Sequence, residues 1–323
     1  MNYSTARILA LCISVVFAGH AAAQQVYPNR VVRMIVPYAP GGGSDVLSRL
    51  LAQSLSDLWK QSVIVENRPG AGATIGTDMV AKAAPNGYTL LFTAGTIALS
   101  NAAYPNLSYD VIKDFAPIAL VAQSPYVLAV NPSVKAKSLA ELIQLARSSP
   151  GKLNFGSPGT GTVAHLVFEL LRSKTGIDVV HIPYKGSTPG IMAAVSGQVD
   201  FVINSPPAIM ELARAQKLRV LAISSGKRTP HVPNVPTFME AGIPDFDASV
   251  WLGLLAPAGT ASDIVRKIYD DTVKVLGSPA LVERFGAEGF DVVTKSPDEF
   301  GTYIRAEVKT WGEVVRQAGI KFE

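Results

Sequence analysis

Along the chain, short apolar runs rich in β-branched residues alternate with glycine-containing turns and with longer segments whose leucines and valines recur at helical spacing. The first such unit covers residues 31–51. Val31-Val32-Arg33-Met34-Ile35-Val36, bounded by Pro37, predicts a buried strand. Pro40-Gly41-Gly42-Gly43-Ser44-Asp45 predicts a turn, and Val46, Leu47, Leu50 and Leu51 a helix with Ser44 or Asp45 as its N-cap. A strand at 62–66, a second glycine loop at 67–76, a helix through Met79, Val80 and Ala83, and a strand at 88–93 follow. The same order returns later: strand 153–155, glycine loop 156–162, helix 163–171, strand 178–183, loop 184–190, short helix 191–195, strand 199–204. Two such copies imply an α/β protein of two lobes with like topology, each a sheet flanked by helices.

The connections set the lobe limits. A strand at 126–130 runs into Asn131-Pro132, the expected first crossing between lobes. After a strand at 218–223 comes a proline-rich passage, 230–244, and then an apolar strand at 248–255 that carries the chain back. The tail, 262–323, reads as helical with one short strand at 290–293. Lobe 1 is therefore expected over 24–130 plus 246–323 and lobe 2 over 131–245. An insertion with two crossings is the plan of proteins that close around a hinge.

Composition refines this picture. At 323 residues, 48% hydrophobic and 17% charged, the chain can bury a large core. Residues 1–23 read as a secretory signal: Arg7, an apolar stretch over 8–17, and Ala21-Ala22-Ala23 before Gln24. The only cysteine, Cys12, lies inside it and follows Leu11 rather than a small residue, so no lipid anchor is expected. The processed chain has no thiol or disulfide chemistry. It carries 28 basic and 25 acidic residues, a net +3. There is no basic stripe with interleaved aromatics, which argues against nucleic acid as a partner.

Three glycines at 41–43 let the backbone approach a guest, and the first N–H groups of the following helix lack internal partners. Such a loop either attracts a carboxylate or phosphate or is a plain strand-to-helix turn. Gly159-Thr160-Gly161-Thr162-Val163-Ala164 matches the dinucleotide spacing G-x-G-x-x-A. However, the acidic residue that should close the next strand is missing: Asp178 opens that strand, and Pro183-Tyr184 closes it. The loop reads instead as a second anion-facing helix start, with Thr160, Gly161 and Thr162 as contacts. Tyr184-Lys185-Gly186 sets a cation beside a third. Asn204 ends a strand at the carboxyl edge, as a ligand contact or a turn residue. Asp45 either receives a ligand ammonium or hydroxyl or caps its helix. His165, just after a glycine loop, could face a ligand. His181, alternating with valines, reads as a core histidine, and His231, among prolines, as a surface one. No histidine or cysteine pair has metal-ligand spacing, and no cofactor is expected. Ser44 lacks the Gly-x-Ser-x-Gly elbow, which leaves a Ser44/His165 hydrolase as the alternative function.

Taken together, several motifs resemble a known family. They are Pro37-Tyr38-Ala39-Pro40-Gly41-Gly42-Gly43-Ser44-Asp45, Glu66-Asn67-Arg68-Pro69-Gly70-Ala71-Gly72, Gly87-Tyr88-Thr89-Leu90-Leu91, Gly159-Thr160-Gly161-Thr162-Val163-Ala164-His165-Leu166, Pro183-Tyr184-Lys185-Gly186, Trp251-Leu252-Gly253-Leu254 with Ala256-Pro257-Ala258-Gly259-Thr260, and Trp311. Over nearly the whole processed chain they resemble the Bug family, the periplasmic solute receptors of tripartite tricarboxylate transporters. Asn86 stands where that family usually has Asp, and Ala261 where Pro is common. The resemblance implies a monomeric two-lobe Venus flytrap of the periplasmic-binding-protein fold that is not an enzyme. It would bind a small carboxylate in the cleft and hand it to a membrane permease. It also implies that Tyr38, Ala39 and the loop to Asp45, together with Tyr184, Lys185 and Gly186, grip the ligand, partly through backbone N–H groups.

Overall fold

The computed structural model describes residues 27–104, 107–230 and 232–320. The expected signal at 1–23 and His231 lie outside them.

Two sheets organise the chain. The first has six strands in the order β11-β4-β10-β3-β1-β2, namely β11 (Asp291–Lys295), β4 (Phe115–Ser124), β10 (Val250–Pro257), β3 (Thr89–Ala94), β1 (Val32–Val36) and β2 (Val63–Asn67). The second has five in the order β7-β6-β8-β5-β9, namely β7 (Val180–Pro183), β6 (Asn154–Ser157), β8 (Phe201–Asn204), β5 (Val127–Val130) and β9 (Arg219–Ile223). The parallel triplets β2-β1-β3 and β7-β6-β8 are the two copies seen in the sequence. Beside each triplet lies one antiparallel strand that the chain lays down after changing lobes: β10 against β3, and β5 against β8.

This exchange corrects one expectation. Val127 pairs with Asn204 and Ile223, so the 126–130 strand belongs to the second sheet, and the first crossing is at Pro125-Tyr126 rather than Asn131-Pro132. Asn131 instead donates from Nδ2 to the Ala194 carbonyl at 2.7 Å, fastening the next turn. On the way back, Phe246 still packs on Phe238 within the second lobe, with ring centroids 4.5 Å apart, and β10 begins only at Val250.

The helices cover both faces of the sheets. In the first lobe they are α1 (Gly43–Trp59), α2 (Thr74–Ala81), α3 (Thr96–Ala103) and, after the second lobe, α8 (Ser262–Leu276), α9 (Pro279–Ala287) and α10 (Pro297–Ala318). In the second they are α4 (Leu139–Ser148), α5 (Val163–Thr175), α6 (Ser187–Ser196) and α7 (Pro206–Arg214). Helix α1 forms because Leu47, Leu50, Leu51 and Leu55 make one apolar stripe, which is buried against the sheet. In β1 the residues Val32, Met34, Ile35 and Val36 are all buried, as a central parallel strand requires. Arg33 alone points out and grips Glu66 with two hydrogen bonds. Helix α10 opens with a capping box between Ser296 and Glu299 and buries Phe300, Ile304, Glu307, Trp311, Val314 and Val315. It packs on α3, β4 and α5, so it touches both lobes. Among the described residues no helix is long and apolar enough to cross a membrane.

Candidate functional site

The site elements are the loops at the carboxyl ends of the parallel strands, where ligands of open α/β sheets gather. In the first lobe β1 leads through Tyr38-Ala39-Pro40 to α1. Gly41 sits at φ +88°, a conformation that favours glycine, and Ala39, Gly41 and Gly42 are exposed. The N-cap is Gly42, which has no side-chain cap bond; neither Ser44 nor Asp45 occupies that position. Asp45 stands one turn in and folds back. Its Oδ2 accepts the Gly41 N–H at 2.9 Å, and its Oδ1 accepts from Arg49 Nε at 3.0 Å and Asn67 Nδ2 at 2.9 Å. Asn67 also donates to the Tyr38 carbonyl at 3.1 Å. Burial would push the Asp45 carboxyl up, but these donors together hold it below the ordinary aspartate range. With both oxygens engaged by the protein, Asp45 shapes the loop. The first-turn N–H groups of Gly43 and Ser44 remain without intrahelical partners. The Tyr38 hydroxyl is likewise used, bonded to Thr96 Oγ1 at 2.6 Å and Thr93 Oγ1 at 3.1 Å and accepting the Ala94 N–H at 3.0 Å.

In the second lobe two stacked imidazoles hold the glycine loop between β6 and α5. His165 and His181 lie 3.9 Å apart, nearly parallel. His165 Nδ1 accepts the Gly161 N–H at 3.0 Å. His181 Nε2 bonds Ser157 Oγ at 2.6 Å, and that hydroxyl accepts the Gly159 N–H at 3.1 Å. Thr162 N-caps α5. Burial, reinforced by the neighbouring His165, pushes the His181 pKa down to about 4, so it stays neutral as a base of the loop. His165 is 4% exposed, and its Nε2 lies 3.5 Å from Glu169. These contacts tie it into the loop, and among the described residues it makes no bond with Ser44. The Tyr184 N–H donates to the Ser157 carbonyl and the Gly186 N–H to the Pro158 carbonyl, each at 2.9 Å, which ties the third loop to the second. Gly186, at φ +113°, turns the chain into α6, and Lys185 is exposed there without an ion-pair partner among the described residues. Asn204 is buried and uses its Oδ1 on the Ser205 N–H at 2.9 Å, next to the start of α7.

The lobes meet around these loops. A small cavity joins Gly95, Thr96 and Leu99 at the start of α3 to Val163 at the start of α5, with Ser249, Val250, Glu307 and Trp311 as its floor. At the other side, Gly289 of the first lobe sits so close to Pro207 at the start of α7 that a Cβ there would lie 2.6 Å from its ring, and the next residue, Phe290, approaches Gly43 within the first lobe. Thr229 Oγ1 donates to Asp291 Oδ2 across the same seam at 2.5 Å. Sequence reasoning missed Thr96, Pro207, Glu307 and Phe290. The start of α3 has no glycine fingerprint, and the others come from elements far along the chain. Of the helices expected at the site, α5 brings its first residue, Val163, into this cavity. Converging helix starts stabilise an anion through N–H groups and dipoles, by about 0.3–2 kcal/mol each. Among the described residues no group of three or more metal-ligating side chains forms.

Two lobes of this topology, joined by two crossings and lined at the seam by helix N-termini, define a periplasmic-binding-protein fold of the solute-receptor class. Residues 47–320 match the family model described as the tripartite tricarboxylate transporter family receptor, and the chain belongs to that family. It is 40% identical over 322 residues to Protein BugT of Bordetella pertussis, covering 98% of this chain and 99% of that one. An R. palustris protein solved with adipate is 34% identical, with a TM-score of 0.72, over 92% of this chain and all of that one. MatC from Rhodopseudomonas palustris, with bound malate, is 32% identical, with a TM-score of 0.69, over 90% of this chain and all of that one.

Proposed function

We propose that the chain captures a small carboxylate in the interlobe cleft and delivers it to the membrane component of a tripartite tricarboxylate-type transporter. It would work as a monomer in the periplasm after removal of residues 1–23, with no catalytic role and no nucleic-acid partner. The observation that carries the reading is the convergence of helix starts from both lobes on one seam, with glycine loops that present N–H groups. The ligands of the R. palustris relatives, adipate and malate, are of the same chemical class. In this reading Ala39, Gly42, Gly43 and Ser44 offer backbone donors from one lobe, and Thr160 and Lys185 from the other; Gly41, Gly161, Thr162, Tyr184 and Gly186, whose N–H groups are bonded within the loops, shape the rims that present them. Tyr38, Asp45 and His165 hold those loops in place, and Asn204 lines the edge between them.

A thermal-shift panel of citrate, malate, adipate, glutamate and benzoate tests this. At least one acid should raise the melting temperature, be recovered unchanged, and compact the protein in small-angle scattering. At a hundredfold excess over Kd the gain is about 2.7 kcal/mol. Chemical turnover of a bound acid, or no binding by any of the five, would overturn the reading. Lys185→Ala should weaken binding by about 1.5–3 kcal/mol, the worth of a hydrogen bond to a charged group, with little change in stability of the free protein. Calorimetry on the parent and variant checks it.

A further inference from the structure

We propose that the floor of the cleft takes up a proton when the lobes close on a carboxylate, and that Glu307 is the group that holds it. This rests on the carboxylate reading above and adds to it a proton-linked specificity residue.

Glu307 projects from α10 into the cavity shared by the starts of α3 and α5 and is 7% exposed. Both of its donors converge on one oxygen: Trp251 Nε1 reaches Oε2 at 3.0 Å and Trp311 Nε1 at 2.9 Å. Its Oε1 has no hydrogen-bond partner among the described residues. Among the described residues, the elements packed around it supply no compensating cation. Helix α3 presents Thr96 and Leu99, α5 presents Val163, and the crossing segment presents Ser249. The crossing segment also carries Asp247, which is exposed and accepts from Ser249 Oγ at 3.0 Å. One turn back on α10 is the Tyr303 phenol, which accepts from Gln123 of β4 at 3.2 Å. Lys295 of β11 lies over the Tyr303 ring, 5.6 Å from its centroid, and its charge acts on Asp247.

An ionised Glu307 thus lacks a partner charge. Burial pushes its carboxyl up to about 7; Asp247 adds to this and the two indoles oppose it. Closure on an anion brings a second negative charge toward the same largely buried region, where two carboxylates cannot both ionise cheaply. The protonated acid keeps Oε2 as acceptor for the indoles and turns the O–H on Oε1 toward the cavity as a donor. Ligand binding then raises the Glu307 pKa further, and a proton enters with the ligand. By linkage, affinity is constant below the free-state pKa and falls toward tenfold per pH unit above it, until the bound-state pKa is passed.

The test has two arms. Each of the five panel acids that binds is titrated calorimetrically into the full mature chain, in buffers of different ionisation heat. Proton uptake that is small well below pH 7 and grows as the pH rises through it is expected. Glu307→Gln keeps an acceptor for both indoles and should bind with no uptake through this range and no matching pH dependence of affinity. In the second arm, the indole N–H signals of Trp251 and Trp311 in ligand-free wild-type protein should titrate together near neutral pH. Those of Trp59, bonded instead to Asp271, should not. This arm needs neither ligand nor a folded variant. Binding without proton uptake, uptake that persists in Glu307→Gln, or indole signals that fail to titrate together would each overturn the proposal and leave the carboxylate reading standing. No binding by any of the five acids would overturn both.

Discussion

Replacing Trp251 by alanine is expected to lower the unfolding free energy by about 3–5 kcal/mol, the usual cost of emptying a buried aromatic site. Trp251 is fully buried near the start of β10, where the chain returns to the first lobe. Its ring meets Phe300 edge-on at 5.3 Å and Tyr303 at 6.0 Å. Its carbonyl accepts the Gly95 N–H at 3.1 Å, beside the start of α3. The substitution removes the ring and also one of the two donors to Glu307. Trp251→Phe should restore most of the packing but leave the acid with Trp311 alone. Urea unfolding of the three proteins checks the order, parent above phenylalanine above alanine. An alanine variant within about 1 kcal/mol of the parent would show that this packing does not hold the crossing.

Asp45→Ala is expected to weaken carboxylate binding by tenfold or more and, at the same time, to cost about 2–3 kcal/mol of stability. It removes a buried acceptor of three hydrogen bonds and frees the Gly41 N–H, so the loop that presents the α1 N–H groups loses its shape. Arg49 is about half exposed and can turn to water, which keeps the loss below that of a fully buried ion pair. The folded pKa of Asp45 is depressed, so its contribution is present above the unfolded value of about 4 and is lost as pH falls through the folded one. Thermal unfolding and calorimetry on the alanine and asparagine variants read both quantities. Binding and stability should fall together. A large loss of binding in Asp45→Asn at unchanged stability would instead put the carboxylate in contact with ligand.

Much of this was legible from residue order. The unit from Val32 to Leu51, its later copy around 153–171 and the helical tail each carry a local signal: β-branched runs, glycine loops and leucines at helical spacing. Strand β4 carries none. Pro117 and its alanines demote the run 115–124, yet β4 is an interior strand of the first sheet, paired with β10 and β11. The register there slips between Leu254 and Leu255, close to where Pro117 sits opposite Leu255. Such an irregularity is where a sheet tolerates a residue without a ladder donor. Helix α3 was missed for a similar reason, since Ile97, Ala98 and Leu99 are buried around its axis and form no one-sided stripe.

By itself, then, the sequence determined the α/β class, the two copies of the parallel unit, and the glycine loops that open helix N-termini to a guest. All of these rest on interactions between residues near one another in the chain. Only the tertiary structure decided which sheet the strand at 127–130 joins, because an apolar run does not specify its partner. It also decided which partners Asp45, Tyr38 and His165 bond within the loops, since Asn67, Thr96 and His181, which help to occupy or wall them in, are distant in sequence. And it placed Glu307 beneath both lobes without a counter-charge, which is a property of the space around a side chain and has no counterpart in the order of residues.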